Sequence, residues 1–129
     1  MKTSFYLTAF CIIFLSVFLV WKKFEVYDHS INISVSENFD SYHFSANYNP
    51  ENTGRVQDYI NSSIAPNGLF RSENDYMDIN TTLSDKTNFY IKESPGRVKI
   101  TIDKRKNSFN SYMRIKKMCE GIKGLLAGK

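Results

Sequence analysis

The stretch FYIKESPGRVKITID, residues 89–103, is the strongest indicator of the fold because it holds the clearest turn in the chain between two alternating segments. Pro95 presets the first central position of a tight turn, and Gly96 accepts a positive φ at the second. After the turn, apolar side chains recur at every second position: Val98, Ile100 and Ile102. The alternation predicts a β-hairpin with one apolar and one wet face, and Arg97 and Lys99 belong to the wet face.

Three other segments alternate in the same way and predict strands at residues 31–35, 42–48 and 77–83. Between the second and the third of these, Asn49 can cap a helix and Pro50 suits its first position. Apolar residues at helical spacing follow this signal. They are Val56, Tyr59, Ile60 and Ile64, which predict one buried helix face.

The last element begins near Asn107 or Ser108, either of which can cap a helix. Apolar residues then recur every three or four positions: Phe109, Tyr112, Ile115, Cys119, Ile122 and Leu126. Gly121 and Gly124 weaken the last turns by up to about 1 kcal/mol each relative to alanine, so tertiary packing must hold them. The order ββαβββα predicts an α+β two-layer sandwich, an antiparallel sheet with two helices on one face.

The N-terminal segment SFYLTAFCIIFLSVFLVW, residues 4–21, carries no charge. At about 1.5 Å per residue, a helix over these eighteen residues would be roughly 27 Å long, close to the hydrocarbon thickness of a bilayer. Trp21 and the two lysines after it are typical of a membrane interface. We therefore expect a transmembrane signal-anchor over residues 1–23 and one extracytoplasmic domain over residues 24–129. The residues expected in lipid are Phe5, Leu7, Ile12, Ile13, Leu15, Leu19 and Trp21.

A cleaved export signal and a helix of a soluble core are the alternatives for this segment. Its apolar run is longer than that of an ordinary export signal and ends without the small residues of a cleavage site. The positive charges on the two sides of the segment barely favour either orientation, because Lys2 precedes it and Lys22 and Lys23 follow it. We expect a single-pass protein of the inner or plasma membrane, with the domain in the periplasm or outside the cell.

Charge is divided unevenly along the rest of the chain. Residues 24–85 contain two arginines and ten carboxylates, whereas residues 86–129 contain twelve basic residues and three carboxylates. One interpretation is that the two parts neutralise each other across the fold. The other is a basic surface that recruits an acidic protein or anionic lipid headgroups. The candidate residues for this surface are Arg97, Lys99, Lys104, Arg105 and Lys106.

Residues suited to catalysis or metal binding are few in this sequence. The histidines are His29 and His43, and neither lies in a metal-binding spacing such as H-x-x-x-H. Cys119 lies on the apolar side of the last helix, where a thiol is usually a small buried hydrophobe, and a link between two chains is the alternative. We expect neither an enzyme nor a bound cofactor or metal.

Two classes of function fit these features. The first is a membrane-anchored protein-binding module, such as an immunity or inhibitor protein against an envelope-acting toxin. The second is a structural subunit of a membrane-associated assembly, such as a secretion or lysis apparatus. The segment from Pro50 has the αβββα order of double-stranded RNA-binding domains, but many small α+β domains share that order and no matching loop motif is present. We expect a protein partner and no nucleic acid, with the oligomeric state open.

Overall fold

The computed structural model describes residues 31–71 and 76–128. The expected membrane segment lies outside these ranges, as do residues 24–30 of the expected domain. Within the described ranges, neither helix is long and apolar enough to span a membrane. The lipid-facing residues between positions 5 and 21, the anchor itself and its orientation therefore stay predictions.

Five strands and two α-helices form the described domain. The strands are β1 (Asn32–Glu37), β2 (Ser41–Asn47), β3 (Met77–Thr82), β4 (Asn88–Ser94) and β5 (Arg97–Asp103). The helices are α1 (Thr53–Ser63) and α2 (Phe109–Leu126), and short 3₁₀ turns precede them at Pro50–Asn52 and Lys104–Lys106. All strand pairs are antiparallel, in the sheet order β1-β2-β5-β4-β3. The predicted α+β fold with an antiparallel sheet and two helices is confirmed.

The predicted hairpin is β4–β5, and its turn also positions α1. Ser94 pairs with Arg97, so the two residues between them form the turn. Gly96 has a φ of +79°, and a Cβ there would lie 2.9 Å from the Tyr48 carbonyl oxygen. The Gly96 amide donates to Thr53 Oγ1 at 3.0 Å. Because Thr53 is the first residue of α1, a turn that requires glycine connects the sheet to the helix.

Both helices pack on the face of the sheet where alternate strand residues are buried. The buried strand residues are those that the alternation predicts: Tyr42, Phe44, Ala46, Phe89, Ile91, Val98, Ile100 and Ile102. The helices contribute Val56, Ile60, Ile115, Met118, Cys119 and Ile122 to the same core. Full burial of one large aliphatic side chain stabilises by about 1.5–3 kcal/mol, so this layer holds the helices to the sheet. No described element packs on the opposite face.

Side-chain caps set the helix starts, although α1 begins later than the sequence predicts. Asn49 Oδ1 accepts from the Glu51 amide at 3.1 Å, but it caps the 3₁₀ turn, and the α-helix begins at Thr53. Ser108 Oγ accepts from the Ser111 amide at 3.1 Å and caps α2, as predicted. Local hydrogen bonds therefore position both helices at the ends of strands.

Several apolar side chains are more exposed than their period predicts, among them Ile79 at 41 % on the edge strand β3, and one carboxylate occupies a position that the period assigns to the core. Phe109 is 72 % exposed, because it lies in the first turn of α2 and Tyr112 fills the core there instead. Val35 is 50 % exposed, because β1 is an edge strand that the helices cover only in part. Glu93 is 1 % exposed on the apolar face, where its carboxylate accepts from Gln57 Nε2 at 3.2 Å.

Candidate functional site

The open face of the sheet carries the side chains that point away from the helices. On the neighbouring strands β2 and β5, Ser45 lies opposite Lys99 and Asn47 lies opposite Arg97. The next strand, β4, places Lys92 directly opposite Lys99. Positive charge is therefore concentrated in the middle of this face.

A groove of about 520 Å³ lies on this face. Short side chains from β1 and β2 form its floor, namely Ser34, Ser36 and Ser45, and we call it the serine groove. Long side chains from β4 and β5 form one wall, namely Lys92, Arg97 and Lys99, which we call the basic cluster. Its other lining residues are His43, Phe44 and Asn47. The groove exists because small residues on two strands lie beside long cationic residues on the next two.

The carboxylates of the described residues do not neutralise the basic cluster. None of its three side chains forms an ion pair within residues 31–71 and 76–128. Asp78 is the cross-strand neighbour of Lys92, but its carboxylate accepts a hydrogen bond from the Tyr90 hydroxyl. That hydrogen bond raises the pKa of Tyr90. The cluster therefore presents its positive charge to whatever approaches the groove.

Hydrogen bonds position two of the groove side chains. Arg97 Nε donates to Asn47 Oδ1 at 3.0 Å, which leaves the two terminal nitrogens of the guanidinium for other acceptors. His43 Nδ1 lies 3.1 Å from Thr101 Oγ1, and its Nε2 lies 3.0 Å from Ser41 Oγ. Both ring nitrogens of His43 are thus engaged with hydroxyls, and the ring contributes a fixed polar wall.

The structure divides the five residues that the sequence analysis grouped together. Arg97 and Lys99 lie at the start of β5, beside the serine groove. Lys104–Lys106 follow the other end of the same strand, roughly 20 Å away at about 3.3 Å per residue. The predicted surface is therefore two separate regions of the described domain.

Lys104 is engaged in contacts within the domain. Its Nζ lies 3.0 Å from Glu37 Oε1, donates to the Asn38 carbonyl oxygen at 2.8 Å and lies 4.7 Å from the centre of the Tyr112 ring. Its backbone amide donates to the Asp40 carbonyl oxygen at 2.8 Å. These contacts hold the β1–β2 turn against α2, so Lys104 has a structural role.

Arg105 and Lys106 differ in how far their charge is balanced. Arg105 Nε lies 3.3 Å from Asp103 Oδ1, and this arginine holds the pKa of the Asp103 carboxyl below its usual value. Lys106 is exposed and forms no ion pair with any described residue. The 104–106 turn thus offers less uncompensated charge than the basic cluster does.

Lys92 completes the basic cluster, although it is not among the residues predicted for the basic surface. A signal was present, because Phe89 and Ile91 point inward and alternation then assigns Lys92 to the wet face. The register of a two-residue hairpin, counted back from Pro95, also places Lys92 opposite Lys99. The residue was therefore predictable from the same hairpin that most strongly indicates the fold.

Other reactive groups of the described domain lie away from the groove. Cys119 is fully buried, as predicted, and burial raises the pKa of its thiol. Glu93 is buried on the helix side of the sheet. The described residues contain no group of three or more His, Cys, Asp or Glu side chains that could hold a metal ion. The serine groove with its basic cluster is the candidate site.

Comparison of the chain with protein-family models, with curated proteins and with solved structures found no significant match. The surface of the described domain and the sequence of the N-terminal segment are therefore the features that bear on function.

Proposed function

We propose that the chain is a single-pass, membrane-anchored and non-enzymatic protein-binding module that faces outside the cytoplasm. Its working surface is the serine groove, and its partner is a protein with an acidic surface. The observation that carries the proposal is the basic cluster, three neighbouring cations without an ion pair to any described residue. An immunity or inhibitor protein against an envelope-acting toxin is the role that we favour.

Charge complementarity supports an acidic partner. A surface patch of one sign speeds encounter with an oppositely charged protein and disfavours proteins of its own sign. Each exposed ion pair adds only about 0.2–1 kcal/mol, so the basic cluster contributes more to rate and orientation than to affinity. The serine hydroxyls and the Asn47 amide add hydrogen-bonding groups for the carboxylates that dock there.

The layout of the domain supports docking on a preformed surface. The two helices and the core lie on one side of the sheet, so a partner can reach the open face without disturbing them. The residues that line the groove belong to strands, and strands hold side chains more rigidly than loops do. A preformed surface of this kind keeps the entropy loss of binding low.

The sequence of residues 4–21 supports the membrane part of the proposal. An eighteen-residue apolar run followed by Trp21 and two lysines has the length and the flanks of a spanning helix. An inhibitor of an envelope-acting toxin must be present where the toxin acts. A single anchor with one small domain satisfies that requirement.

Charge reversal within the basic cluster tests the docking surface in the full-length, detergent-solubilised protein. We expect Lys99→Glu to weaken binding of the acidic partner by about tenfold or more, because it places a repulsive charge in the middle of the cluster. Lys106→Glu is the matched control, since it makes the same change on an exposed lysine far from the groove. The two variants are compared by the amount of the same partner protein that co-purifies with each of them at low and at high salt. Equal effects of the two variants would contradict the proposal.

A reporter at the C-terminus tests the expected compartment. We expect alkaline phosphatase fused after Lys129 to be active, since it matures only outside the cytoplasm, and a fluorescent protein at the same place to be dark after export. The chain should leave the membrane fraction with detergent and not with salt. A chain that is dissolved without detergent, or a bright fluorescent fusion, would refute the anchored, outward-facing arrangement.

A further inference from the structure

The wall of the serine groove contains an unfavourable pair of like charges. Lys92 and Lys99 lie directly opposite each other on neighbouring strands, which places their Cβ atoms about 4.5–5.5 Å apart, and like charges so placed destabilise a sheet. Asp78, the neighbour of Lys92 on its other side, bonds Tyr90 and forms no ion pair with either lysine. The described domain retains a repulsion that a bound anion would relieve.

Arg97 continues the positive charge along β5. Arg97 and Lys99 are two residues apart on the same face, a spacing of about 7 Å. Asn47 holds the guanidinium through Nε, and the remaining N–H groups form a planar fork that suits a carboxylate. Two of the floor serines, at positions 34 and 36, repeat at the same interval. The groove therefore combines cations and hydroxyls in a two-residue repeat parallel to the strands.

We propose that the serine groove binds an extended acidic segment of a protein, with carboxylates at alternate positions, an inference that rests on the proposed function. One carboxylate lies between Lys92 and Lys99, and the carboxylate two residues away meets Arg97. In an extended chain, residues i and i+2 point to the same side about 7 Å apart, which is the repeat of the cations. Adjacent carboxylates point to opposite sides, so the pattern of acidic residues decides binding as well as their number.

Two peptides of equal charge test this pattern with the full-length protein in a non-ionic detergent. One is a labelled peptide of four alternating serine–glutamate pairs, and the other repeats glutamate–glutamate–serine–serine twice, so it has the same composition but no two glutamates two positions apart. We expect fluorescence anisotropy to show at least about threefold tighter binding of the alternating peptide. Lys99→Gln should weaken its binding about fivefold, as expected for loss of one charge-assisted contact. Lys106→Gln should leave it unchanged. Equal affinity for the two peptides would overturn the proposal.

The variant Lys99→Glu separates a binding role of the lysine pair from a structural one, because position 99 faces Lys92 on one side and the uncharged Ser45 on the other. It replaces the cross-strand repulsion with an ion pair, so we expect the thermal unfolding midpoint to rise. We also expect binding of the alternating peptide to fall by about tenfold or more, because the groove loses a cation and gains an anion. A rise in the midpoint without loss of binding would overturn the proposal. Inorganic phosphate and unlabelled peptide are also compared as competitors of the labelled peptide. Displacement by phosphate at a lower concentration than by the unlabelled peptide would overturn the proposal, in favour of a phosphoryl site.

Failure of this inference and failure of the proposed function give different results. If the alternating peptide shows no preference but capture of the partner still depends on Lys99, the docking surface stands and the extended acidic segment is wrong. If the peptide binds as expected but capture of the partner ignores Lys99→Glu, the groove stands as an acidic-peptide site and the proposed function is wrong.

Discussion

Gly121 lies in α2 directly against the ring of Tyr59 in α1. A Cβ at position 121 would lie 1.6 Å from Tyr59 Oη and 2.3 Å from its Cζ. Gly124, one turn further along α2, has open space around the corresponding position. Helix propensity alone predicts the same effect for both glycines, but the structure gives them different roles. Gly121 permits the close approach of the two helices, whereas Gly124 only weakens α2.

Alanine substitutions at the two glycines form a matched pair. Gly124→Ala should raise the free energy of unfolding by up to about 1 kcal/mol, the difference in helix propensity. Gly121→Ala gains the same propensity but must displace the Tyr59 ring, so we expect it to lower the free energy of unfolding by about 1–3 kcal/mol. Urea unfolding of the full-length protein measures both. A Tyr59→Ala background should make Gly121→Ala stabilising, and stabilisation by Gly121→Ala in the native background would contradict the contact.

Single residues were predictable where alternation alone decides their side of the sheet. Strand alternation places Ile91 on the buried face, so it also places Lys92 on the open face and Glu93 on the buried face. Both positions therefore follow from local sequence. The hydrogen-bond partner of Glu93 was not predictable, because Gln57 lies on a helix that is distant in sequence. The contact between Gly121 and the α1 tyrosine was hidden for the same reason.

At the scale of elements, Glu37 connects the edge strand β1 to α2. Its carboxylate accepts a hydrogen bond from the Tyr112 hydroxyl and lies 3.0 Å from Lys104 Nζ and 3.5 Å from Lys116 Nζ. The Tyr112 hydrogen bond and Lys104 lower the pKa of Glu37 to about 2. Because the helices leave much of β1 exposed, this cluster is an important side-chain connection between the strand and the rest of the described domain.

This lowered pKa predicts how stability depends on pH. Ionised Glu37 stabilises the fold above its unfolded pKa of about 4.3, and that contribution is lost as the pH falls toward about 2. We expect native protein to be more stable than Glu37→Gln near neutral pH and the difference to shrink to nearly zero at about pH 2. Asp85 and Asp103, whose pKa values are also lowered, titrate in both proteins and cancel in the difference. A difference that is the same at both pH values would contradict the role of Glu37.

The elements themselves were largely predictable, but the order of the strands was not. The two-residue alternation, the Pro95 turn and the Ser108 cap are local signals, and the structure follows each of them. The pairing of β2 with β5 joins segments that are far apart in the chain. Local sequence does not state which strand lies beside which, so the floor of the serine groove, which needs β2 beside β5, was not predictable, whereas the basic cluster on the β4–β5 hairpin was.

At the scale of the described domain, the uneven charge is partly neutralised by ion pairs and partly left exposed on the open face. Ion pairs join the acidic and basic parts of the chain, namely Glu37 with Lys104 and Lys116, and Asp85 with Arg114 at 2.7 Å. The basic cluster comes from the same basic part, but β4 and β5 carry it to the open face, where it enters none of these pairs. Neutralisation and a basic surface therefore occur in different regions of one domain.

Photo-crosslinking from the floor of the serine groove tests directly whether the partner docks there. A photoreactive residue replaces Ser45 in the full-length chain in native membranes, and the control replaces Phe109, which is exposed on the helix side. We expect a discrete crosslinked product from position 45 that disappears in the Lys99→Glu background, and no product from position 109. A product from position 109 alone, or one from position 45 that survives Lys99→Glu, would contradict the account.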